Sequence, residues 1–422
     1  MNGPAMSGAA TGALAGLRVL DFSWVWSGPM VAASLGDLGA DVIKVEHGKR
    51  LDNSRLRGRP TLKQGVAEGP SIELNPYFHQ TNHGKRSITL NLKDPRALEL
   101  IHALVRQSDI LVENLTVGAL ARQGLGYAAL AEVNPRLIYL SMSAVGQTGP
   151  LRDMRAYAPI MSSFTGLESL IGYPGEAPVG MLNFGYGDPN AGAHALVALL
   201  AALWSREQSG QGQHIDMAQI EAILSVIPEP LIDQLWNGKD ALPQGNRRQG
   251  MVPHGNFPAL SMADGTEGWV AISVRDDDDW QRLCRAMGNP DWAAVPALAG
   301  LAGREARQAE IEARLGAWTA TLPRDTLVAQ LQAAGIPAAP VLSIEEQMEH
   351  PQFAARGLMR QVNHPHFGPE RLYVLPWQMS ATPPSLQQSA PLLGADNDYV
   401  FGELLKLPKA DIETLKAEGV IA

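Results

Sequence analysis

Two aspartates each precede a proline at the start of an apolar run, Asp94-Pro95 in KDPRALELIHALV and Asp188-Pro189 in GYGDPNAGAHALVALLAALW. Aspartate before proline is the ordinary helix start, a side-chain cap followed by proline at the first helical position. Around Asp94, flanked by Lys93 and Arg96, nothing more needs explaining. Asp188 has the same capping pattern but lies among Gly185, Gly187 and Gly192. Glycines that close let another molecule approach the backbone, and a helix start supplies N–H donors that keep a carboxylate ionised. Such a carboxylate can act as nucleophile or base, and it can equally be a plain cap.

A second chemical signal is positive charge. Lys44, Lys49, Arg50, Arg55, Arg57, Arg59, Lys63, Lys85 and Arg86 crowd one part of a chain whose net charge is −9. Lysine and arginine donors match phosphate oxygens, so this cluster reads either as a site for a phosphate-bearing ligand or as a solvated loop. Other chemistries lack their motifs. The turn after the first strand reads SWVWSGP, with Gly28 as its single glycine, so the dinucleotide fingerprint is missing even though Glu46 ends the second strand as a ribose-binding acid would. There is no Gly-x-Ser-x-Gly elbow and no His-Glu-x-x-His helix. His364-Pro365-His366 reads as a surface turn, Asp276 to Asp279 as negative charge at a helix N-terminus, and no metal site is assigned. Cys284, the single cysteine, excludes an internal disulfide and reads as a core thiol in a reducing cytosol.

These residues need a frame to hold them. Strand patterns at 17–24, 41–46, 87–92, 109–115 and 137–143 alternate with helix patterns at 29–38, 94–107 and 117–132, which predicts right-handed crossovers and a mostly parallel α/β sheet. Ligands of such sheets sit at the carboxyl ends of the strands. A long helix over 189–207, a strand over 214–218 and a helical stretch near 219–236 follow. The segment 237–258, rich in Gly, Pro and Asn, breaks every periodicity and predicts a linker, with 245–256 the nearest candidate for a mobile cover. Beyond it lie a strand at 268–274, a helix from Asp277, and helices over 303–321 and 324–334. The expected plan is a tail over 1–16, a large domain from 17–236 and 345–422, and a small α+β domain over 259–344, the C-terminal stretch strapping back with a helix near 409–418.

Bulk properties agree with a globular protein. A length of 422 residues exceeds the ~250–300 at which one core stops growing, and 45% of residues are apolar. The acidic balance argues against a nucleic-acid or anionic-membrane partner. The first sixteen residues lack the pattern of a signal peptide, and the longest apolar run, Ala195 to Trp204, is half the ~20 residues a bilayer span needs.

LRVLDFSWVWSGP, LGDLGADVIKVE, NHGKRSITLNLK, DILVENLTVGALARQGLGY, NPRLIYLSMSAVGQTGP, the 185–216 segment and APLLGADND together resemble the class III CoA-transferases, the carnitine dehydratase/bile-acid-inducible protein F family. The resemblance runs from about Leu17 to the C-terminus. It implies a Rossmann-like large domain, a small middle domain and an interlocked homodimer; a heteromer with a homologous subunit is also open. It implies an acyl-CoA donor and a carboxylic acid acceptor, with coenzyme A as substrate and no tightly bound cofactor. Asp188 aligns with the aspartate that carries aspartyl anhydride and aspartyl-CoA intermediates. The family's CoA contacts fall on Val25, Trp26, Ser27, Lys85, Arg86, Asn114, Arg122 and Arg155, and His47 stands where some members have arginine. Trp24, Tyr157, Phe184 and Tyr186 suggest a pocket for a larger, aromatic or branched acid. The rival within the superfamily is an α-methylacyl-CoA racemase, which pairs the aspartate with a His-Asp dipeptide; here those positions read Tyr157-Ala158. Ala158 also departs from the acid that transferases often carry there. A non-catalytic CoA-binding subunit is a further alternative.

Overall fold

The computed structural model describes residues 12–56, 71–180, 185–261 and 265–421. They form two compact units, one of Met1–Glu168, Gly180–Gly238 and Gln352–Ala422, the other of Ser169–Val179 and Lys239–Pro351.

In the larger unit six strands, β1 (Arg18–Asp21), β2 (Asp41–Glu46), β3 (Arg86–Thr89), β4 (Ile110–Glu113), β5 (Ile138–Ser143) and β6 (His214–Ala218), make one sheet in the order β3-β2-β1-β4-β5-β6. Every pair is parallel. Both faces are covered, so alternate residues of each strand feed different cores. Leu20, Ile43, Ile88, Leu111 and Tyr139 pack with Leu100, Ile101 and Leu104, and with Phe401 and Ile412 from the C-terminal stretch. Val19, Val42, Val112 and Leu140 pack on the other face with Val31 and Leu35 and with Ala195 and Leu199. The strand order reverses between β1 and β4, and a crevice opens beyond their carboxyl ends at that switch point.

The helices that matter for the crevice are α1 (Ser27–Asp37), α2 (Asn53–Leu56), α3 (Pro76–Asn82), α4 (Pro95–Val105), α5 (Tyr127–Val133), α6 (Ala158–Phe164), α7 (Gly187–Ser209) and α8 (Gln219–Leu224). Several differ from the sequence pattern for local reasons. The single helix expected over 117–132 is a 3-10 turn at Ala121–Gln123 followed by α5, because Gly118 and Gly124 take positive φ values of 72° and 78°. The stretch near 219–236 splits into α8 and Pro228–Asn237, the second helix starting at its proline. The C-terminal strap contains an unexpected hairpin, Met359–His364 with Gly368–Tyr373. His364 is accordingly no surface residue: it is buried, stacks on His79 at 4.2 Å, and burial drives its pKa down to about 4.

The smaller unit holds an antiparallel sheet of His254–Ala259, Gly268–Ser273 and Ala338–Pro340, with a core of Trp280, Leu283, Ile311, Leu315, Leu327 and Leu331. Asp276 caps its helix Asp277–Ala286 by accepting the Asp279 N–H at 2.8 Å, and Cys284 is half-buried there, its thiol pushed up to about 11 by burial. The stretch 245–256 is partly built into this unit rather than free: His254 starts a strand, Val252 is buried and its carbonyl accepts from Arg304 Nε at 2.9 Å. Among the described residues no helix is long and apolar enough to cross a membrane.

Candidate active site

The turn from β1 into α1 forms one wall of the crevice, and buried ion pairs hold it from below. Asp21 Oδ1 accepts the N–H of Ser23 at 2.8 Å and also its hydroxyl, while Lys85 Nζ donates to Asp21 Oδ2 (2.7 Å), to the Pro29 carbonyl (2.9 Å) and to Asn82 Oδ1 (2.9 Å). Lys44 Nζ donates to the Ser23 carbonyl at 2.7 Å and to Asp52 Oδ2 at 3.1 Å. Asp52 in turn accepts from the N–H of Val25, a residue held at φ 68°, and from the Ser54 N–H and hydroxyl. Burial lowers the Lys85 ammonium to about 8 against the opposing pull of Asp21, whereas Asp52 and its neighbours hold Lys44 above its usual value against desolvation. At Gly28 any Cβ would fall 2.3 Å from that of Ser23, so only glycine fits the tight entry to α1.

Asn114, just past β4, stitches this turn to the neighbouring strand. Its Oδ1 accepts the Trp24 N–H at 2.7 Å and its Nδ2 donates to the Trp24 carbonyl at 2.8 Å. The Glu113 carboxylate beside it accepts the Leu115 N–H at 2.9 Å, and burial raises its pKa to about 7.

Asp188 forms part of the opposite wall. The structure corrects the capping assignment: α7 begins at Gly187 with Tyr186 as its cap, so Asp188 lies inside the first turn. Asp94 does cap its helix, accepting the Arg96 N–H at 3.0 Å. The glycines around Asp188 serve the chain's own packing rather than an approaching molecule. A Cβ on Gly187 would meet Ile223 at 2.8 Å and one on Gly192 would meet Met30 at 2.7 Å. One on Gly185 would lie 2.9 Å from the Ala158 methyl, 3.3 Å from Trp26 and 3.3 Å from Asp188 Oδ2. Ala158 is thus buried against Gly185, a neighbour it shares with the carboxylate.

These walls enclose a cavity of about 560 Å³. It brings together Trp24, Val25, Trp26, Ser27, Asn114, Arg155, Tyr157 and Asp188. Four other residues named from the sequence do not line it. Lys85 is buried and fully engaged by Asp21, Pro29 and Asn82. Arg86 pairs with Asp41 and Asp396 and lies over the Tyr399 ring. The Arg122 guanidinium donates to the Val117 carbonyl, and Tyr186 caps α7. Phe184, Arg57, Arg59 and Lys63 lie outside the described residues. Among the described residues of the basic cluster, Lys44, Arg55, Lys85 and Arg86 are therefore held in ion pairs. Arg55 is buried, bidentate to Glu46 and paired with Glu73, and Lys44 is equally enclosed.

Among the described residues of this cluster, Lys49 and Arg50 are exposed. Together with His47, Asn91 and Lys93 they line a second cavity of about 430 Å³, which shares Trp24 and Arg50 with the first. Sequence reasoning passed over Lys93, Gln219, Asp52 and Glu113. Position at a strand's carboxyl end was the available signal for Lys93, Gln219 and Glu113; Asp52 had none. Among the described residues no three histidine, cysteine, aspartate or glutamate side chains are grouped to hold a metal ion.

The sequence matches the profile of CoA-transferase family III over residues 14–397. It is 32% identical over 405 residues to the succinyl-CoA–D-citramalate CoA-transferase of Chloroflexus aurantiacus, covering 96% of this chain and 97% of that one. It is also 32% identical over 425 residues to the formyl-CoA:oxalate CoA-transferase of Streptomyces coelicolor, covering 97% and 99%. A crystal structure of a CaiB/BaiF family protein from Brucella suis matches with a TM-score of 0.82 at 30% identity, covering 93% of this chain and 100% of the other. With a matching profile over most of its length and relatives aligned nearly end to end, the chain belongs to CoA-transferase family III, the family of CoA-transferases that includes the CaiB/BaiF proteins.

Proposed function

We propose that the chain moves coenzyme A from an acyl-CoA to a carboxylic acid, with Asp188 as the nucleophile. The observation that carries this is the Asp188 carboxylate facing the same cavity as the β1–α1 turn and Asn114, at the carboxyl ends of the sheet. The carboxylate attacks the thioester carbonyl, the C–S bond breaks, and a mixed anhydride and CoA thiolate result. The thiolate attacks the aspartyl carbonyl, releasing the first acid and leaving an aspartyl-CoA thioester. The acceptor carboxylate attacks this thioester and expels the thiolate, which then takes the new acyl group and frees Asp188. Passing the groups through covalent intermediates on the aspartate splits one difficult exchange into a series of easier displacements. Lys49, Lys93 and His47 in the second cavity supply the phosphate contacts that Lys85 and Arg86 cannot.

Racemase chemistry fits less well. It needs two groups that shuttle a proton, and where a racemase has its His-Asp dipeptide this chain has the Tyr157 phenol, a poor base near neutral pH, and the Ala158 methyl. A second copy of the chain is the proposed partner. Helix Pro228–Asn237 buries none of its residues and shows Leu235 and Trp236 at 80% exposure, with Trp204 of α7 at 73%. We place the enzyme in the cytosol, where its single cysteine stays reduced.

Incubation with acyl-CoA donors and free acids, followed by intact mass measurement, tests the proposal. The wild type should gain a CoA adduct and Asp188→Asn should not. Exchange at the wild-type rate by Asp188→Asn would overturn the mechanism. CoA binding without any adduct or exchange in the wild type would point to a non-catalytic subunit instead.

A further inference from the structure

Gln219 carries a polar atom that its surroundings leave unanswered. It opens α8 directly after β6, and its position relative to Asp188 is fixed on several sides. The Ile220 N–H donates to the Ala144 carbonyl at 3.0 Å, Asn190 of α7 donates to the Ala222 carbonyl at 2.7 Å, and Ile223 lies against Gly187. Gln219 is 6% exposed and lines the same cavity as Asp188. Its Nε2 donates to Ser27 Oγ at 3.3 Å, and Asn114 Nδ2 donates to the same oxygen at 3.2 Å. Its Oε1 is buried and meets no donor among the described residues. A buried carbonyl oxygen left without a donor is costly, and a turn of the Gln219 side chain that brings Oε1 to the cavity lets a ligand donor relieve that cost.

The substrates of the proposed reaction narrow that donor. A carboxylate, a thioester and ionised phosphates offer acceptors. The donors of an acyl-CoA are the adenine amino group, the hydroxyls of the ribose and of the pantoyl unit, and the two secondary amides of the pantetheine arm, one of which is only two methylenes from the sulfur. The two lysines, Lys49 and Lys93, lie in the second cavity alone, whereas Gln219 shares the first with Asp188, where the thioester must react. The arm has to thread the first cavity to reach that carboxylate.

We propose that Gln219 Oε1 accepts the N–H of a pantetheine amide, making Gln219 a specificity-determining residue that sets the reach of the arm toward Asp188. The assignment rests on the CoA-transferase reading and adds to it a residue that recognises the carrier rather than the acyl group.

Calorimetric titration with CoA itself tests it, alongside two CoA analogues in which one or the other arm amide has its N–H replaced by CH2. The wild type should bind one analogue about tenfold more weakly than CoA, the scale of one hydrogen bond. Gln219→Met should bind CoA about tenfold more weakly and no longer distinguish it from that analogue, while Gln219→Glu, which keeps an acceptor, should retain the preference. A melting temperature for each variant confirms that it is folded. Undiminished discrimination by Gln219→Met would overturn the Gln219 assignment alone. Failure of the wild type to bind CoA would overturn the CoA-transferase reading and this inference with it.

Discussion

Asp52 and Val25 are joined across 27 positions of sequence: the Asp52 carboxylate accepts the Val25 N–H at 3.0 Å while Val25 sits at φ 68°. A β-branched residue in that region is strained and persists only where its surroundings over-determine it. Asp52 does so and also neutralises the buried Lys44. Asp52→Ala should therefore cost about 3–5 kcal/mol of stability in urea unfolding, the scale for stranding a buried charge. A loss below about 1 kcal/mol would show that the turn is held without it.

Gly185→Ala should depress turnover far more than stability. The new methyl would press on Ala158, Trp26 and Asp188 Oδ2, and the first two belong to neighbouring walls. A shift of about 1 Å at a reacting group costs on the order of 100-fold in rate. Adding Ala158→Gly removes the nearest obstacle and should restore part of the rate; an unimproved double variant would place the damage elsewhere.

The phosphate assignment separates two kinds of cation. Lys49→Ala with Lys93→Ala should raise KM for acyl-CoA and weaken its salt dependence while leaving the melting temperature nearly unchanged. Lys85→Ala should instead unfold the chain at lower urea, since it leaves Asp21 buried and unpaired. Equal effects of both sets on KM would contradict the division.

Glu113 predicts a pH-dependent stability. Its folded pKa, raised from 4.5 to about 7 by burial, means that the native state holds a proton the unfolded chain has released. Stability from this group is intact below pH 4.5 and falls as pH rises toward 7, by about 3 kcal/mol in all. Glu113→Gln cannot ionise, so its stability relative to the wild type should rise between pH 5 and 8 in paired urea titrations. A difference that stays flat over that range would mean the carboxylate is solvated.

The exposed apolar helix Pro228–Asn237 predicts self-association. Replacing Leu235 and Trp236 by glutamate should reduce the mass measured by light scattering toward that of one chain. A wild type of one-chain mass would remove the homodimer from the proposal.

The alternation of β-branched runs and helices made the parallel sheet legible, because strands buried on both faces keep little but apolar residues. Charge was less readable. Lys44, Arg55 and Lys85 look like phosphate ligands in the chain, yet their partners Asp52, Glu46, Glu73 and Asp21 come from other elements that only folding brings near. Asp188 was legible as a helix start but not as an inner first-turn residue, since a cap and the position after it differ by backbone geometry rather than residue type. The glycines misled for a related reason: what each makes room for, Ile223, Met30 or Ala158, lies far away in sequence or past a turn.

The Asn114 amide imitates a peptide group. By exchanging two hydrogen bonds with the backbone of Trp24 it adds one artificial rung to the ladder between β1 and β4 beyond the last true one. The mouth of the crevice is thus ordered when the chain folds, before any ligand arrives. Little conformational entropy remains to be lost on association, so the affinity for a long, floppy carrier is governed by the flexibility of the carrier itself.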